Sequence, residues 1–363
     1  MSSQLNLGMI TKSGQMGLSP DHVGLIDATL YLNGGLIQLN STDIPVKSKD
    51  LRNFSRMGFY DPSEHLNSVA EIICGNLSPN EINSPQNIVG MTYKDLELME
   101  LISARLNNSA CRFLTVDGGP TEVPKLSSDL DGFDMSQQLT GDVIVCRHIL
   151  EHLDYPEKLL RYLWKGMDEK GLLFIEVPDA SKIYDGFLYP DFWDEHKSYF
   201  NKEALRNFLD KENFRILHLE TIETEAEDVI VCVAVKNGSL IKNIIESSEN
   251  QTLDELSRNI NSIRSRIQKA LDRGSVFGFV GATHVNINFI DMFFDRKESC
   301  NIYDNHIEKI GKFVTKFSLP IQSLTSKPSN KIDIWATSLS RKRFEMYYSN
   351  FDQKTELVEI DNL

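Results

Sequence analysis

Glu195 and His196 stand side by side in Trp193-Asp194-Glu195-His196-Lys197-Ser198-Tyr199-Phe200. An imidazole titrates near neutral pH and a carboxylate beside it tunes its proton affinity, so the pair has the make-up of a general base. The same eight residues carry three aromatic rings, which a solvated loop does not need, and charges that a buried strand does not favour. On the residues alone, a solvated loop with packed rings and a reactive site are equally open. A second polar group, Arg147-His148-Ile149-Leu150-Glu151-His152, offers two imidazoles and a carboxylate. Its order is not the His-Glu-x-x-His of a helical zinc site, so packing and hydrogen bonding at a helix start are preferred over metal ligation. A third, Asp117-Gly118-Gly119, is a turn that lets backbone approach a ligand ahead of a helix start, although Asp-Gly is also an ordinary turn.

The elements that must position these groups alternate between about 110 and 236. Cys111–Val116 reads as a strand ending in Asp117-Gly118-Gly119-Pro120, and Asp142–Cys146 as a second short strand. Asp154 can cap a helix holding Leu159, Leu160 and Leu163, with Pro156 in its first turn. Leu172–Val177 is a further strand stopped by Pro178, and Asn201 can cap a helix to about Lys211. Strands Phe214–Leu219 and Val229–Val235 follow. Such alternation predicts a doubly wound α/β sheet, whose ligands bind beyond the carboxyl ends of its strands. Leu253, Leu256, Ile260, Ile263, Ile267 and Ala270 recur at helical spacing up to Gly274, which predicts a connecting helix packed on its own domains. Ser275–Val280, Asn301–Asp304 and Lys331–Ala336 then read as strands of a smaller α/β domain. Before residue 95 the pattern is weaker. It holds a strand-like LYLNGGLIQLN, a helix in HLNSVAEIICG, the polar loop-like NLSPNEINSPQN and a helix from Tyr93 to Leu106.

The chain has 363 residues with 41% hydrophobic and 25% charged residues, a soluble multidomain composition. A formal charge of −14 and the lack of a basic cluster argue against nucleic acid as a partner. No apolar run reaches the roughly 20 residues of a membrane span, and the N-terminus does not read as a signal peptide. Cys74, Cys111, Cys146, Cys232 and Cys300 are scattered without paired spacing. They are expected as free thiols in a reducing cytoplasm, without zinc.

Taken in order, RHILEHL, LLFIEVPD and DEHKSYF resemble the class I S-adenosylmethionine-dependent methyltransferases. More narrowly, they are similar to the sugar C-methyltransferases that methylate C3 of nucleotide-linked 4-keto-deoxysugars. In the C-terminal part, GFVGAT at 278–283, YDNHIEKIGKF at 303–313 and LPI at 319–321 are similar to that family's strand-turn-helix and acid-ended strand. The resemblance spans about 110 to 363. It implies a Rossmann-like methyltransferase domain with a shortened cofactor region at 96–240 and a smaller Rossmann-like domain with its linking helix at 241–363. The N-terminal region, 1–95, then retains a remnant of the family's zinc domain without its cysteines.

The resemblance also implies S-adenosylmethionine as cofactor and a small, nucleotide-sugar-like substrate, with no nucleic acid, membrane or metal, in a cytoplasmic monomer or homodimer. It assigns His196 as general base with Glu195 beside it and, more loosely, Tyr60 facing the substrate. Asp117, Gly118, Gly119, Arg147 and His148 fall to the cofactor, and Asp129 or Asp131 to its ribose. Trp193 and Asp194 replace a tyrosine and a histidine of the family's pattern, and the Gly-rich motif is eroded. Those departures leave two alternatives: a methyltransferase-like binding or scaffold module, and transfer to oxygen or nitrogen.

Overall fold

The structure, a computed structural model, describes residues 4–11, 15–17, 25–33, 35–44, 51–53, 63–77, 85–107, 112–115, 141–184, 192, 196–224, 227–237, 249–325, 331–338, 344 and 357–360. The N-terminal strands are β1 (Gln4–Thr11), β2 (Gln15–Gly17), β3 (Leu25–Asn33), β4 (Leu36–Ile44) and β5 (Leu51–Asn53). The central part runs α1 (Ser63–Leu77), β6 (Asn87–Gly90), α2 (Leu96–Arg105), β7 (Arg112–Thr115), β8 (Gly141–Arg147), α3 (Pro156–Gly166) and β9 (Met167–Pro178). It continues through α4 (Ser181–Tyr184), β10 (Ser198–Tyr199), α5 (Lys202–Lys211), β11 (Phe214–Glu223) and β12 (Asp228–Lys236). The C-terminal part holds α6 (Glu249–Asp272), β13 (Phe277–Val280), α7 (His284–Phe293), β14 (Cys300–Asp304) and β15 (Phe313–Val314), then β16 (Leu319–Ser323), β17 (Ile334–Thr337) and β18 (Leu357–Glu359).

The central sheet has the order β11-β12-β9-β8-β6-β7. Its four strands β9, β8, β6 and β7 are parallel, and β12 and β11 close one side antiparallel. The parallel strands are apolar on both faces, as a sheet covered by helices requires. Val143 and Val145 of β8 face a cluster with Leu66, Val69 and Ile73 of α1 and Leu98 and Met99 of α2. Ile144 and Cys146 face the opposite cluster, with Leu159, Leu160 and Leu163 of α3 and Leu205 and Leu209 of α5.

The chain leaves β6 for β7 on one side and returns to β8 on the other, so the switch of direction lies between β6 and β8. This corrects the expected first strand. The strand around 112–115 is β7, at the sheet edge, and the inner strand β6 arises from residues just after the Pro- and Asn-rich stretch. Gly90 ends β6 because α2 packs too close for a side chain: a Cβ there would lie 2.8 Å from Asp95 Cβ and 2.9 Å from Met99 Sδ.

A second sheet, β18-β17-β13-β14-β16-β15-β2-β5, is parallel from β18 to β16 and forms the expected smaller α/β unit. Two strands from the first 53 residues, β2 and β5, complete its edge. The third sheet, β1-β3-β4-β10, is antiparallel throughout. It buries Ile26, Ala28, Leu30, Leu32, Ile37 and Leu39 in one core with the apolar stripe of α6 and with α7. Leu253, Leu256, Ile260, Ile263 and Ile267 are that stripe, so α6 is a packed connector as expected.

Asn201 caps α5 as expected, accepting the Ala204 N–H at 2.7 Å. Asp154 does not cap α3: the cap position is Tyr155, with Pro156 opening the helix. Cys74, Cys146, Cys232 and Cys300 are free thiols; Cys111 lies outside the described residues. Among the described residues no helix is long and apolar enough to cross a membrane. Gly90→Ala is expected to cost about 1–3 kcal/mol, because a methyl forced into a closed contact displaces its neighbours. A fall in the thermal midpoint with retained secondary structure checks it.

Candidate active site at the carboxyl ends of the central sheet

The stretch 196–200 was open between loop and site on its residues; the structure makes part of it a strand. Ser198 and Tyr199 pair antiparallel with Gln38 and Ile37 as β10, at the edge of the N-terminal sheet. Tyr199 and Phe200 are buried, so the rings do pack. Backbone bonds fix both sides: Lys197 N–H donates to Glu151 O at 2.6 Å, Leu39 N–H to Lys197 O at 3.0 Å and Ala180 N–H to Phe200 O at 2.8 Å. Tyr184 is a buried strut, its hydroxyl accepting from Ile37 N–H at 2.9 Å and donating to Tyr199 O at 2.8 Å. Upstream, Asn288 of α7 donates to Phe192 O at 2.6 Å.

His196 is thereby held buried, 8% exposed, beside a partner that the sequence reading left structural. The His152 ring lies edge-on to it, centroids 4.9 Å apart, and Tyr199 follows at 6.4 Å. Glu151, 2% exposed, completes the group: one potential ligand atom from each of Glu151, His152 and His196 falls within 4.8 Å of the others. Both Glu151 carboxylate oxygens are buried without a hydrogen bond; His148 Nδ1 lies 3.4 Å and His152 Nε2 3.7 Å from Oε1. The set brings two imidazoles beside a buried carboxylate, atom types that suit a general base and also a divalent ion.

Next to it, a charged network occupies the switch point between β6 and β8. Glu176 of β9 is fully buried. Arg147 donates to its Oε1 from Nε at 3.1 Å and Nη2 at 2.9 Å, His148 Nε2 is 3.0 Å from the same oxygen, and His65 of α1 is 2.9 Å from Oε2. Burial alone would raise the Glu176 carboxyl, but the Arg147 charge and the hydrogen bonds from His148 and His65 hold it well below the usual carboxylate range. Against its own burial, His148 is raised to about 10 by Glu151 and Glu176. Its backbone is left-handed, φ +49°, a strained state for a residue with a side chain. A bond from its N–H to Glu176 O at 2.9 Å helps hold it there. Asp95 lies 3.8 Å from Arg147 and accepts the Thr92 N–H at 2.9 Å; burial, outweighing both, pushes it up to about 6.

Of the residues assigned from sequence, the structure brings Arg147 and His148 to the switch point and His196 beside them. Tyr60, Asp117, Gly118, Gly119, Asp129, Asp131 and Glu195 lie outside the described residues. Sequence reading missed Asp95, His65 and Glu176, and gave Glu151 and His152 only packing and hydrogen bonding at a helix start. A signal existed for Glu176, since one carboxylate inside LLFIEVP demands buried cations. The chemistry of the groups present fits the amino-acid end of S-adenosylmethionine: Arg147 and His148 suit its carboxylate, and Asp95 its ammonium.

Glu176→Gln is expected to cost about 3–5 kcal/mol at neutral pH, since it strands buried cations. The sign follows from a depressed folded pKa: the Glu176 contribution is complete above the unfolded value and is lost as pH falls from about 5 through the folded value. Denaturation of wild type and variant between pH 3 and 8 checks it, the gap between them shrinking toward acid.

Residues 52–219, just under half of the chain, match the family model described as a methyltransferase domain. No curated protein matches the chain. Among solved structures it is similar to the 1,6-didemethyltoxoflavin-N1-methyltransferase of Burkholderia thailandensis, with 14% identity over 53% of this chain and 98% of that one, TM-score 0.33. It is also similar to the magnesium protoporphyrin IX methyltransferase of Synechocystis PCC 6803, with 11% identity over 50% and 90%, TM-score 0.34. The N-terminal domain of EvdMO1, solved with S-adenosylhomocysteine and D-fucose, gives 14% identity over 53% and 89%, TM-score 0.34. Likenesses this distant decide neither activity nor substrate. What the family match gives is confined to residues 52–219, which are similar to a methyltransferase domain.

Proposed function

We propose that the enzyme methylates a carbon next to a ketone in a small, nucleotide-linked sugar, with His196 as the base. The observation that carries this is the buried His196 ring set against His152, at the ligand side of the sheet and next to the Arg147 network. A carbonyl acidifies the adjacent C–H. His196 takes that proton, and the electron pair moves onto the carbonyl oxygen as an enolate. The Glu151 carboxylate lies near the charge that His196 gains. When bound, S-adenosylmethionine would supply an electrophilic methyl group to that carbon, its demethylated form being the leaving group. Arg147, His148 and Asp95 hold its charged end, and fixed positions for both molecules lower the entropic barrier. Glu195 and Tyr60 complete the set by resemblance alone, as do a cytoplasmic location and a monomer or homodimer.

One observation favours a second reading. The two unbonded oxygens of Glu151, facing His152 and His196, suit a divalent cation that would polarise the carbonyl. Metal analysis of the purified protein, and turnover after chelation, separate the two: the base mechanism predicts full activity without metal.

His196→Ala is expected to lower turnover by roughly 10²–10⁴-fold while leaving S-adenosylhomocysteine affinity unchanged by calorimetry. Arg147→Ala is expected to weaken that affinity about tenfold or more, the loss of a charge-assisted hydrogen bond. No binding of S-adenosylhomocysteine to the folded wild type would instead support a binding or scaffold module. Mass spectrometry of products from keto-sugar substrates distinguishes methylation on carbon from that on oxygen or nitrogen.

A further inference from the structure

The N-terminal sheet buries one face, and its other face has an unusual composition. Strand register aligns Gln4, Tyr31, Gln38 and Ser198 in one row across β1, β3, β4 and β10. Asn40 lies one row step along the same face, two residues on from Gln38. Exposed sheet faces ordinarily carry lysine and glutamate for solubility; this row carries amides, a phenol and a hydroxyl.

The row is also organised. Gln38 is buried, and its amide is fully engaged: Oε1 accepts from Asn33 Nδ2 at 3.0 Å, while Nε2 donates to Ser198 Oγ at 3.0 Å and Asp154 O at 3.2 Å. Gln38 therefore acts as a strut that fastens the Asp154–Tyr155 loop over the strands. The loop and the sheet face border an open depression of about 480 Å³, lined by Gln4, Tyr31, Asn33, Asn40 and the loop residues together with Gln38. That is within the size range of ligand sites.

The lining selects a chemical class. It contains no lysine or arginine, so nothing in it neutralises a phosphate or carboxylate. Asp154 and Glu157, after burial itself, raise the Tyr31 phenol, which marks the local field as negative. The amides of Gln4 and Asn40 each carry donors and an acceptor, the pairing that vicinal hydroxyls need, and Asn33 adds its carbonyl, its Nδ2 being engaged by Gln38. Tyr31 offers a ring face against which the C–H face of a pyranose packs, and the half-exposed Tyr155 carries the Lys158 ammonium over its ring, 4.0 Å from the centroid.

We propose that this depression is a binding site for a neutral sugar. Ser198, at the end of the row, is two residues from His196, and Asp154 is two residues from His152. A sugar seated here lies on the segments that carry the two imidazoles. The site is distinct in chemistry from one for a nucleoside diphosphate, and the inference does not depend on methyl transfer.

The test is calorimetry and saturation-transfer NMR on the full chain, using methyl pyranosides and neutral disaccharides such as maltose, lactose and cellobiose, with glucuronic acid and uridine diphosphate as charged controls. Binding of at least one neutral sugar in preference to the charged controls is expected. Tyr31→Ala should weaken it by about tenfold or more, with S-adenosylhomocysteine affinity unchanged. Asn40→Ala, at an exposed position that the fold does not depend on, should weaken it as well and covers the case in which Tyr31→Ala unfolds the sheet. No neutral sugar binding, equal or tighter binding of the charged controls, or binding unaffected in a folded Asn40→Ala protein would overturn the proposal.

Discussion

A carboxylate with no access to water has to be neutralised where it lies, and Glu176 is such a group at the carboxyl end of β9. Isolated burial of its charge would cost several kcal/mol even after relaxation. The groups that offset that cost come from separate elements: His65 from α1, Arg147 from the end of β8 and His148 just beyond it. This one demand fixes where the start of α1 docks. It also holds His148 in a left-handed backbone state and turns Arg147 toward the switch point. Arg147 then stands opposite Asp95 across the start of α2, so the strand ends are held in a fixed array of alternating charge. A zwitterion meeting that array needs little reorganisation of the protein, which is the condition under which charged groups act most strongly.

The reactive histidine is placed by a different means. His196 precedes a two-residue strand, too short to hold itself, and its position comes from what lies on either side. β4 supplies the ladder, Glu151 O anchors Lys197, Tyr184 joins β4 to β10, and α7 holds Phe192. All three sheets, directly or through α7, thus contribute to one short segment. Each tether removes a part of the backbone freedom that a loop of this kind would otherwise keep, which is why an imidazole outside regular structure can meet a partner ring at a set angle.

What was legible in the residues follows the reach of the interactions. β8, β9, β11 and β12 are apolar runs that declare themselves locally, and α6 carries its stripe through about four turns. Asn201 capping α5 is a bond over three residues. β6 is four residues long, follows a Pro- and Asn-rich stretch, and is a strand because β7 and β8 flank it on both sides. β10 is a strand only through pairing with residues some 160 positions away. The site divides in the same way. His196 was found from its neighbours in sequence, whereas His152 was set aside because its spacing matched no local metal motif, although the contact that matters is across space. Asp154 fits the composition of a helix cap, but its backbone carbonyl is taken by Gln38 and the helix begins after Tyr155.

The C-terminal sheet shows how similar topology can serve a different end. It too switches direction, between β13 and β17, and a turn into α7 follows β13. There the acid that ends β14, Asp304, accepts the Ala282 N–H at 2.8 Å and pairs with Lys309 at 3.3 Å, while Lys309 also reaches Ala282 O. Thr283 caps α7 and its hydroxyl meets Ser338. Groups that in a nucleotide-binding unit turn outward toward a ligand are here spent on one another. The motif of an acid and a lysine is therefore a structural tie. Its consequence is a rigid α7, whose Asn288 holds Phe192 and whose flank packs on β1. The smaller unit thereby helps to fix the segment on which His196 sits.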